Sequence, residues 1–492
     1  MIRPVIPQEA GVTRRPGPPR AGRLRFRQAF SASFLLALGL ALLVWLLVGT
    51  LSGPSEHSYL IPWVIALVCI FSYPLLYLAF SRSFSLFHPL AFAGWTYFIP
   101  AFVFGSLYLA TGSYEPWFLP LIREPDHYIP RTLVYVGFGF IGLCLGFLLP
   151  WGKSIGRSLS NKLPAWDWTF SQVRLPALVL ILFGELSKVG AFRSGSLGYQ
   201  YVQDASTMGT TLNLLGWLST LGAFLLWMGI FREKRLAVAH VATIGLLVGI
   251  ILYANVLGGA RGAFLSGTMP VIAAYVFSGR RTGFRKAVAI GVVLLLVLTA
   301  GMIYGTMFRW IKGSEAQVGM GEYLATAGLT FKELWRQGPA ESVRIGFEAF
   351  FQRIETVTQI SVLVANYETA QPVAGQFGIP SIWTMTWTAF VPRALWPEKP
   401  SISGARGVWS LYFNYGESSP AITPMIDLLI NFGPFAIPVG MALLGLFLRV
   451  IYGVFMGSPG VSAWRAAGYY MFLTCVSYEG FFGTIFPLIV RV

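Results

Sequence analysis

The chain is 492 residues long, 55% hydrophobic and only 11% charged, with a formal net charge of +16 and a mean hydropathy of +0.64. So little charge on so much apolar sequence excludes a soluble globular protein, which needs a larger polar surface. The basic excess falls in short segments between apolar runs, where it reads as membrane topology rather than as a nucleic-acid footprint.

Residues 1–29 carry Arg3, Arg14, Arg15, Arg20, Arg23, Arg25 and Arg27 among prolines. That composition predicts a disordered, basic, cytoplasmic tail beside anionic lipid. Its length, and the lack of a small-residue cleavage site after the first apolar run, argue against a removable signal peptide.

Apolar runs follow at 30–50, 60–80, 88–111, 130–150, 174–192, 211–231, 238–257, 263–278, 287–308, 421–448 and 464–490. A bilayer core asks for roughly 20 apolar residues per helix, so the expected fold is an all-α polytopic membrane protein with about eleven spans. It divides into the tail 1–29, a transmembrane bundle 30–308, a large polar segment 309–420 and C-terminal spans 421–492. With the N-terminus in the cytoplasm, Arg82, the group Lys153, Arg157, Lys162 and Arg174, the group Arg232, Lys234 and Arg235, the group Arg280, Arg281, Arg285 and Lys286, and Arg449 and Arg465 all fall inside, as the positive-inside rule requires. The same alternation exports Leu51 to Tyr59, Gly112 to Ile129, Arg193 to Thr210 and the stretch from Arg309 to Pro420.

A connection as long as 309–420 is functional or disordered, and its composition is not that of disorder. Helical spacing predicts one helix over Tyr323 to Trp335. It predicts a second, amphipathic, over Ser342 to Asn366, with Phe347, Phe350, Phe351, Ile354, Val357, Ile360 and Val364 on one side. Ser381 to Trp387, rich in Thr and Trp, reads as an interfacial or re-entrant helix. The last run contains Glu479-Gly480, which leaves open whether it crosses once or bends back.

Cys69, Cys144 and Cys475 sit in apolar runs, and His57, His88, His127 and His240 are scattered without zinc-ligand spacing. No metal and no other cofactor is expected. The polar residues that need explaining are mostly cations on the external side. Arg261 projects from Gly258-Gly259-Ala260-Arg261-Gly262, and Arg406 sits in the similar Gly404-Ala405-Arg406-Gly407. Arg393 and Lys399 flank Trp396, with Pro397 and Pro400 pinning the backbone. A guanidinium offers phosphate a bidentate fork and keeps its proton; snorkelling and interfacial anchoring explain the same residues without a ligand.

Arg353 and Glu355 lie on the amphipathic pattern, where Arg344 and Glu348 form an ordinary i,i+4 pair. Glu417, Asp427 and Glu368 are external carboxylates able to act as a base. Asp427 lies within the apolar run Ile422 to Ile430, where an ionisable group is costly and marks a functional candidate. Tyr199 and Tyr201, between Arg193 and Asp204, suit sugar hydroxyls or an aromatic belt equally. Glu185 with Lys188 places charge inside a span, the feature that favours a transporter.

The block Pro392-Arg393-Ala394-Leu395-Trp396-Pro397-Glu398-Lys399-Pro400, the segment from Ser419-Pro420 to Asn431-Phe432-Gly433, the Gly-Gly-Ala-Arg-Gly turn and the segment Phe192 to Tyr201 resemble the Wzy-type O-antigen and oligosaccharide repeat-unit polymerases of bacterial inner membranes. The resemblance covers roughly residues 175–450. It implies a GT-C-like, metal-independent inverting glycosyltransferase of the inner membrane. Its donor and acceptor would be undecaprenyl-diphosphate-linked oligosaccharides joined at the periplasmic face, and it leaves open a chain-length-regulating partner. On that reading Arg261, Arg393, Lys399, Arg406 and Arg353 bind the diphosphate, Glu417 or Asp427 is the base, with Glu355 or Glu398 as further choices, and Tyr199, Tyr201 and Trp396 meet sugar. An O-antigen ligase would share the donor, but such ligases resemble one another in using a loop His, and 309–420 contains none. A flippase or other transporter is the rival from another class.

Overall fold

The computed structural model describes residues 20–51, 55–81, 83–112, 116–164, 166–198, 207–233, 235, 237–259, 263–280, 284–313, 318–388, 391, 396, 405–414, 422–457 and 461–485. All regular structure among these residues is helical. The helices up to the long polar segment are α1 (Arg20–Leu51), α2 (Ile61–Phe80), α3 (Pro89–Ala93), α4 (Gly105–Ala110), α5 (Pro125–Leu148), α6 (Pro150–Lys162), α7 (Phe170–Arg193), α8 (Thr207–Leu215), α9 (Trp217–Arg232), α10 (Val238–Gly258), α11 (Ala263–Phe277) and α12 (Phe284–Lys312). The remainder are α13 (Met320–Gln337), α14 (Pro339–Ile354), α15 (Val357–Ala370), α16 (Ile382–Thr388), α17 (Ala405–Phe413), α18 (Pro424–Phe432), α19 (Ala436–Met456) and α20 (Ala463–Cys475).

Among the described residues seven helices are long and apolar enough to cross a membrane: Ser58–Phe80, Pro89–Ala110, Pro125–Leu148, Phe170–Arg193, Thr211–Arg232, Ala289–Lys312 and Ala436–Met456. Phe30–Leu46, Val238–Ala254 and Gly267–Phe277 are apolar but shorter. The chain is therefore a helical protein of polytopic membrane type; the described residues give seven such helices, against eleven apolar runs in the sequence. One cause is at 421–448. Gly433 takes φ +80 and Pro434 follows it, so the run splits into the nine-residue α18 and the separate α19. A left-handed glycine followed by a residue without an N–H stops a helix. The last run is another, since α20 ends after 13 residues.

A seam of small residues aligns α19 with α5 and α6. Cβ atoms on Gly142 and Gly146 would collide with the carbonyls of Pro438 and Ala442, one on Gly152 would lie 2.8 Å from Arg449 Cγ, and Gly156 faces Gly453. Numbers rise together on both sides, so the helices run parallel. α19 begins beside Gly139, where a Cβ would stand 2.6 Å from Met425 Sδ and 3.3 Å from Ile437. At 1.5 Å per residue, α5 therefore extends roughly 20 Å past the start of α19. That space is taken by α18 and by α15, whose Ser361 Oγ donates to Thr132 Oγ1 at 2.9 Å.

The amphipathic pattern over 342–366 is two helices rather than one. The Glu355 carboxylate accepts from Thr358 N–H at 2.8 Å and Thr358 Oγ1 at 2.6 Å, ending α14 and capping α15 as an N-terminal carboxylate does. α14 buries the side made by Ser342, Ile345, Gly346 and Ala349 rather than the Phe347, Phe350, Phe351 and Ile354 side that the spacing predicts, and Phe347 is exposed, since its small residues let the helix pack closely. Every residue of α15 from Val357 to Val364 is buried. The helix expected over 323–335 is α13, whose Tyr323 packs on Phe192 and Phe308. α16 buries Ile382, Met385 and Thr388 and exposes Trp383 and Trp387.

The molecule has two distinct ends. At one, Arg465 is buried against Ser160 Oγ and the carbonyls of Ser160 and Leu163, each at 2.9 Å. Arg232 pairs with Asp167 at 2.5 Å, and Arg280 reaches the carbonyls of Phe231 and Glu233. At the other, α4 and the C-terminal parts of α7 and α12 meet α13 and α14. The final segment connects them, leaving Arg465 at the first end and donating from Gly483 N–H to Asp427 at the level of α18. As far as Ile485 it passes once through the bundle.

Candidate functional site

Between α3 and α4 the chain widens into π-helical turns, Gly94–Phe104, with Pro100 inside. Proline removes an i→i−4 hydrogen bond and crowds the preceding turn, and π-turns of this kind recur at functional sites. Their C-terminal neighbour Gly105 is a seat. A Cβ there would lie 3.0 Å from Ile354 O and 3.2 Å from Glu355 Cα, so the α14–α15 corner rests on bare backbone. Phe351 adds a face-to-face stack on Tyr108, with ring centroids 4.1 Å apart.

From this corner the Arg353 guanidinium pairs with Glu479 on the segment after α20. Tyr478, next to Glu479, is buried and stacks on Tyr97 of the π-helical turns at 6.1 Å, with Phe98 edge-on at 5.7 Å. The Tyr97 ring is 4% exposed, and its hydroxyl has no hydrogen-bond partner among the described residues.

Four residues along, the segment is held a second time. Asp427 Oδ2 accepts from Gly483 N–H at 3.1 Å, and Oδ1 accepts from Asn431 Nδ2 at 2.9 Å. The Phe482 N–H adds a third bond. Asn431 Oδ1 in turn accepts from Ile382 N–H at 3.0 Å, tying in α16, and Gly483 lies against Met385. Asp427 is 1% exposed. Burial pushes its carboxyl up to about 7, against the lowering effect of the Gly483, Phe482 and Asn431 donors. Burial likewise raises Glu355 above the ordinary carboxylate value, opposed by its bonds to Thr358 and Val357.

Two further polar groups stand apart. Arg131 Nε donates to Tyr135 OH at 2.8 Å, and Tyr367 OH donates to Glu368 at 2.8 Å on the adjacent α15. Inside the span Phe170–Arg193, Lys188 Nζ lies 2.7 Å from Glu185 and 2.6 Å from Ser219 Oγ. Among the described residues no cluster of three His, Cys, Asp or Glu side chains could hold a metal.

Of the residues singled out in the sequence, Arg353 and Asp427 are brought together, through their separate holds on 479–483. Arg406 falls in the first turn of α17, and Trp396 is exposed. Arg261, Arg393, Lys399, Glu417, Tyr199 and Tyr201 lie outside the described residues. Glu479, Tyr97 and Asn431 join Arg353 and Asp427 without a role predicted by the sequence. Glu479 carried the signal used for Asp427, an ionisable residue in an apolar run, whereas Tyr97 is one tyrosine among many in a span. No family model matches this chain, and no curated protein or solved structure matches it.

Proposed function

We propose that the chain joins undecaprenyl-diphosphate-linked oligosaccharide repeat units in a bacterial inner membrane, with a cytoplasmic N-terminus and the 309–420 segment in the periplasm. The acceptor's terminal hydroxyl attacks the donor's anomeric carbon from the face opposite the diphosphate. A new C–O bond forms, the bond to the diphosphate oxygen breaks, and the configuration inverts. The cations Arg261, Arg393, Lys399, Arg406 and Arg353 hold the diphosphate and stabilise the charge that grows as it departs. Glu417 takes the hydroxyl proton. Asp427, with both oxygens already accepting hydrogen bonds, is assigned the holding of 482–483 rather than the base. Tyr199, Tyr201 and Trp396 meet the sugars. Arg and Lys supply the positive charge that the leaving group needs, so the reading is of a metal-independent transferase.

The observation that supports this most is the construction of the long polar segment. Its described residues form helices built into one end of the bundle, where Arg353 is anchored to the same short stretch as Asp427 of α18. A transporter is the second reading, favoured by the Glu185, Lys188 and Ser219 group within a span. The two separate in one assay with the purified chain, lipid-linked repeat units and EDTA. The polymerase releases one undecaprenyl diphosphate per glycosidic bond, and Arg261→Ala or Arg393→Ala slows release. Unchanged rates and chain lengths in both variants would remove their assignment, and no release at all would favour transport.

A further inference from the structure

Among the described residues two ion pairs join distant parts of the chain, and they are built differently. In the pair Arg232–Asp167 each side chain has further work, since Arg232 also donates to Val461 O and Asp167 also accepts from Ala463 N–H. In the pair Arg353–Glu479 the described hydrogen bonding of each side chain is to the other alone, and the two side chains are 50% and 39% exposed. An exposed pair of this kind adds little stability. The buried Tyr97 hydroxyl has no partner among the described residues, and its ring stacks on Tyr478, the residue next to Glu479. Glu355, the nearest carboxylate in sequence, is committed to Thr358 and does not compete for Arg353. The backbone that carries Glu479 is fixed on either side, by the Tyr478–Tyr97 stack and by Gly483 on Asp427, while Glu479-Gly480 between them is outside any helix.

We infer that Glu479 is a resident counter-ion that keeps Arg353 in place and yields its guanidinium to the incoming diphosphate, with the Tyr97 hydroxyl as a second donor to that anion. This rests on the diphosphate-donor reading above. A diphosphate brings more negative charge than one carboxylate and fills the guanidinium fork, so exchange needs only the Glu479 side chain to swing away while its neighbours stay tethered. Tyr97 then gains the partner it lacks. Glu479 and Tyr97 are the residues that set selectivity for a diphosphate over a single negative charge.

The test is binding of undecaprenyl diphosphate, and separately of inorganic pyrophosphate, to the full chain in nanodiscs. Glu479→Gln should tighten both about two- to fivefold, Arg353→Gln should weaken both, and adding Glu479→Gln to Arg353→Gln should change nothing further. Tyr97→Phe should weaken binding by about tenfold, the size expected for a hydrogen bond to a charged group. Arg353→Lys, which keeps the pair with Glu479 but lacks the fork, should also bind less tightly. Unchanged or weaker binding in a folded Glu479→Gln, or a gain that survives Arg353→Gln, would overturn the exchange. A gain with pyrophosphate alone would overturn the lipid-linked ligand. Because the readout is binding, a chain that forms no polymer would leave this inference standing, and loss of the coupling would leave the polymerase reading standing.

Discussion

The α5–α6–α19 seam and the junction around 478–483 hold the same bundle together by opposite means. In the seam, backbones approach because Gly142, Gly146 and Gly156 have no side chain to keep them apart; close van der Waals packing does the work, as in helix pairs within lipid. In the junction, Asp427, Asn431, Arg353 and Glu479 connect four segments through charges and hydrogen bonds. A packed seam has one arrangement, whereas an ion pair can exchange partners. On the proposed reading, the difference separates the rigid frame from the part that responds to the diphosphate.

Breaking the frame should cost most. Gly146→Leu drives a side chain into the Ala442 carbonyl, and overpacking of this kind costs about 3 kcal/mol or more. The expected result is loss of folded protein in detergent, measured by size-exclusion yield and thermal unfolding. Next comes the anchor. Asp427→Ala leaves the Gly483 N–H without its acceptor and the Asn431 amide with only the Asp427 carbonyl, and a buried donor left unpaired costs about 1–3 kcal/mol. Asp427→Asn, which keeps one acceptor, should cost less.

The same residue predicts a pH dependence. Its carboxyl is raised from 3.8 to about 7 in the folded chain, so the folded state binds the extra proton. Stability is therefore highest below about 4, falls as pH rises from there to about 7, and is level above that. Asp427→Asn should remove this fall, so unfolding temperatures of the two proteins should converge with rising pH. Glu355 is raised too and contributes in the same direction to both proteins, which leaves the difference to Asp427.

Smaller again is the cap. Glu355→Ala removes the acceptor for Thr358 and should lower stability by about 1 kcal/mol. Arg344→Ala breaks two exposed pairs within α14, with Glu341 and Glu348, and should leave the unfolding temperature unchanged. A large loss there would mean that exposed charge matters to the frame after all.

Much of the frame was legible in the sequence because hydropathy is a local property. The spans over Pro125–Leu148 and Phe170–Arg193 lie where apolar runs place them. The split at Gly433-Pro434 was written in two residues whose backbone effect outweighs a continuous apolar run. The α14–α15 corner was not legible, because apolar spacing continues across it and the break depends on Glu355 turning inward onto Thr358. The junction was half legible. Asp427 and Arg353 stood out as charges in apolar or amphipathic surroundings, but Glu479 lies 126 positions from Arg353, and no local pattern announces such a contact. Tyr97 stands out only in three dimensions, as a buried hydroxyl with no partner among the described residues.

A polymerisation assay tests the proposed reaction directly. The purified chain is incubated with undecaprenyl-diphosphate-linked repeat units from its own host, EDTA and no nucleotide sugar, beside Glu417→Gln and Arg353→Gln, and the products are resolved on a gel. A ladder of products is expected from the unaltered chain, none from Glu417→Gln and a shortened, slower ladder from Arg353→Gln. Absence of a ladder from the unaltered chain with substrate shown to be intact, or an undiminished ladder from Glu417→Gln, would contradict the proposed reaction.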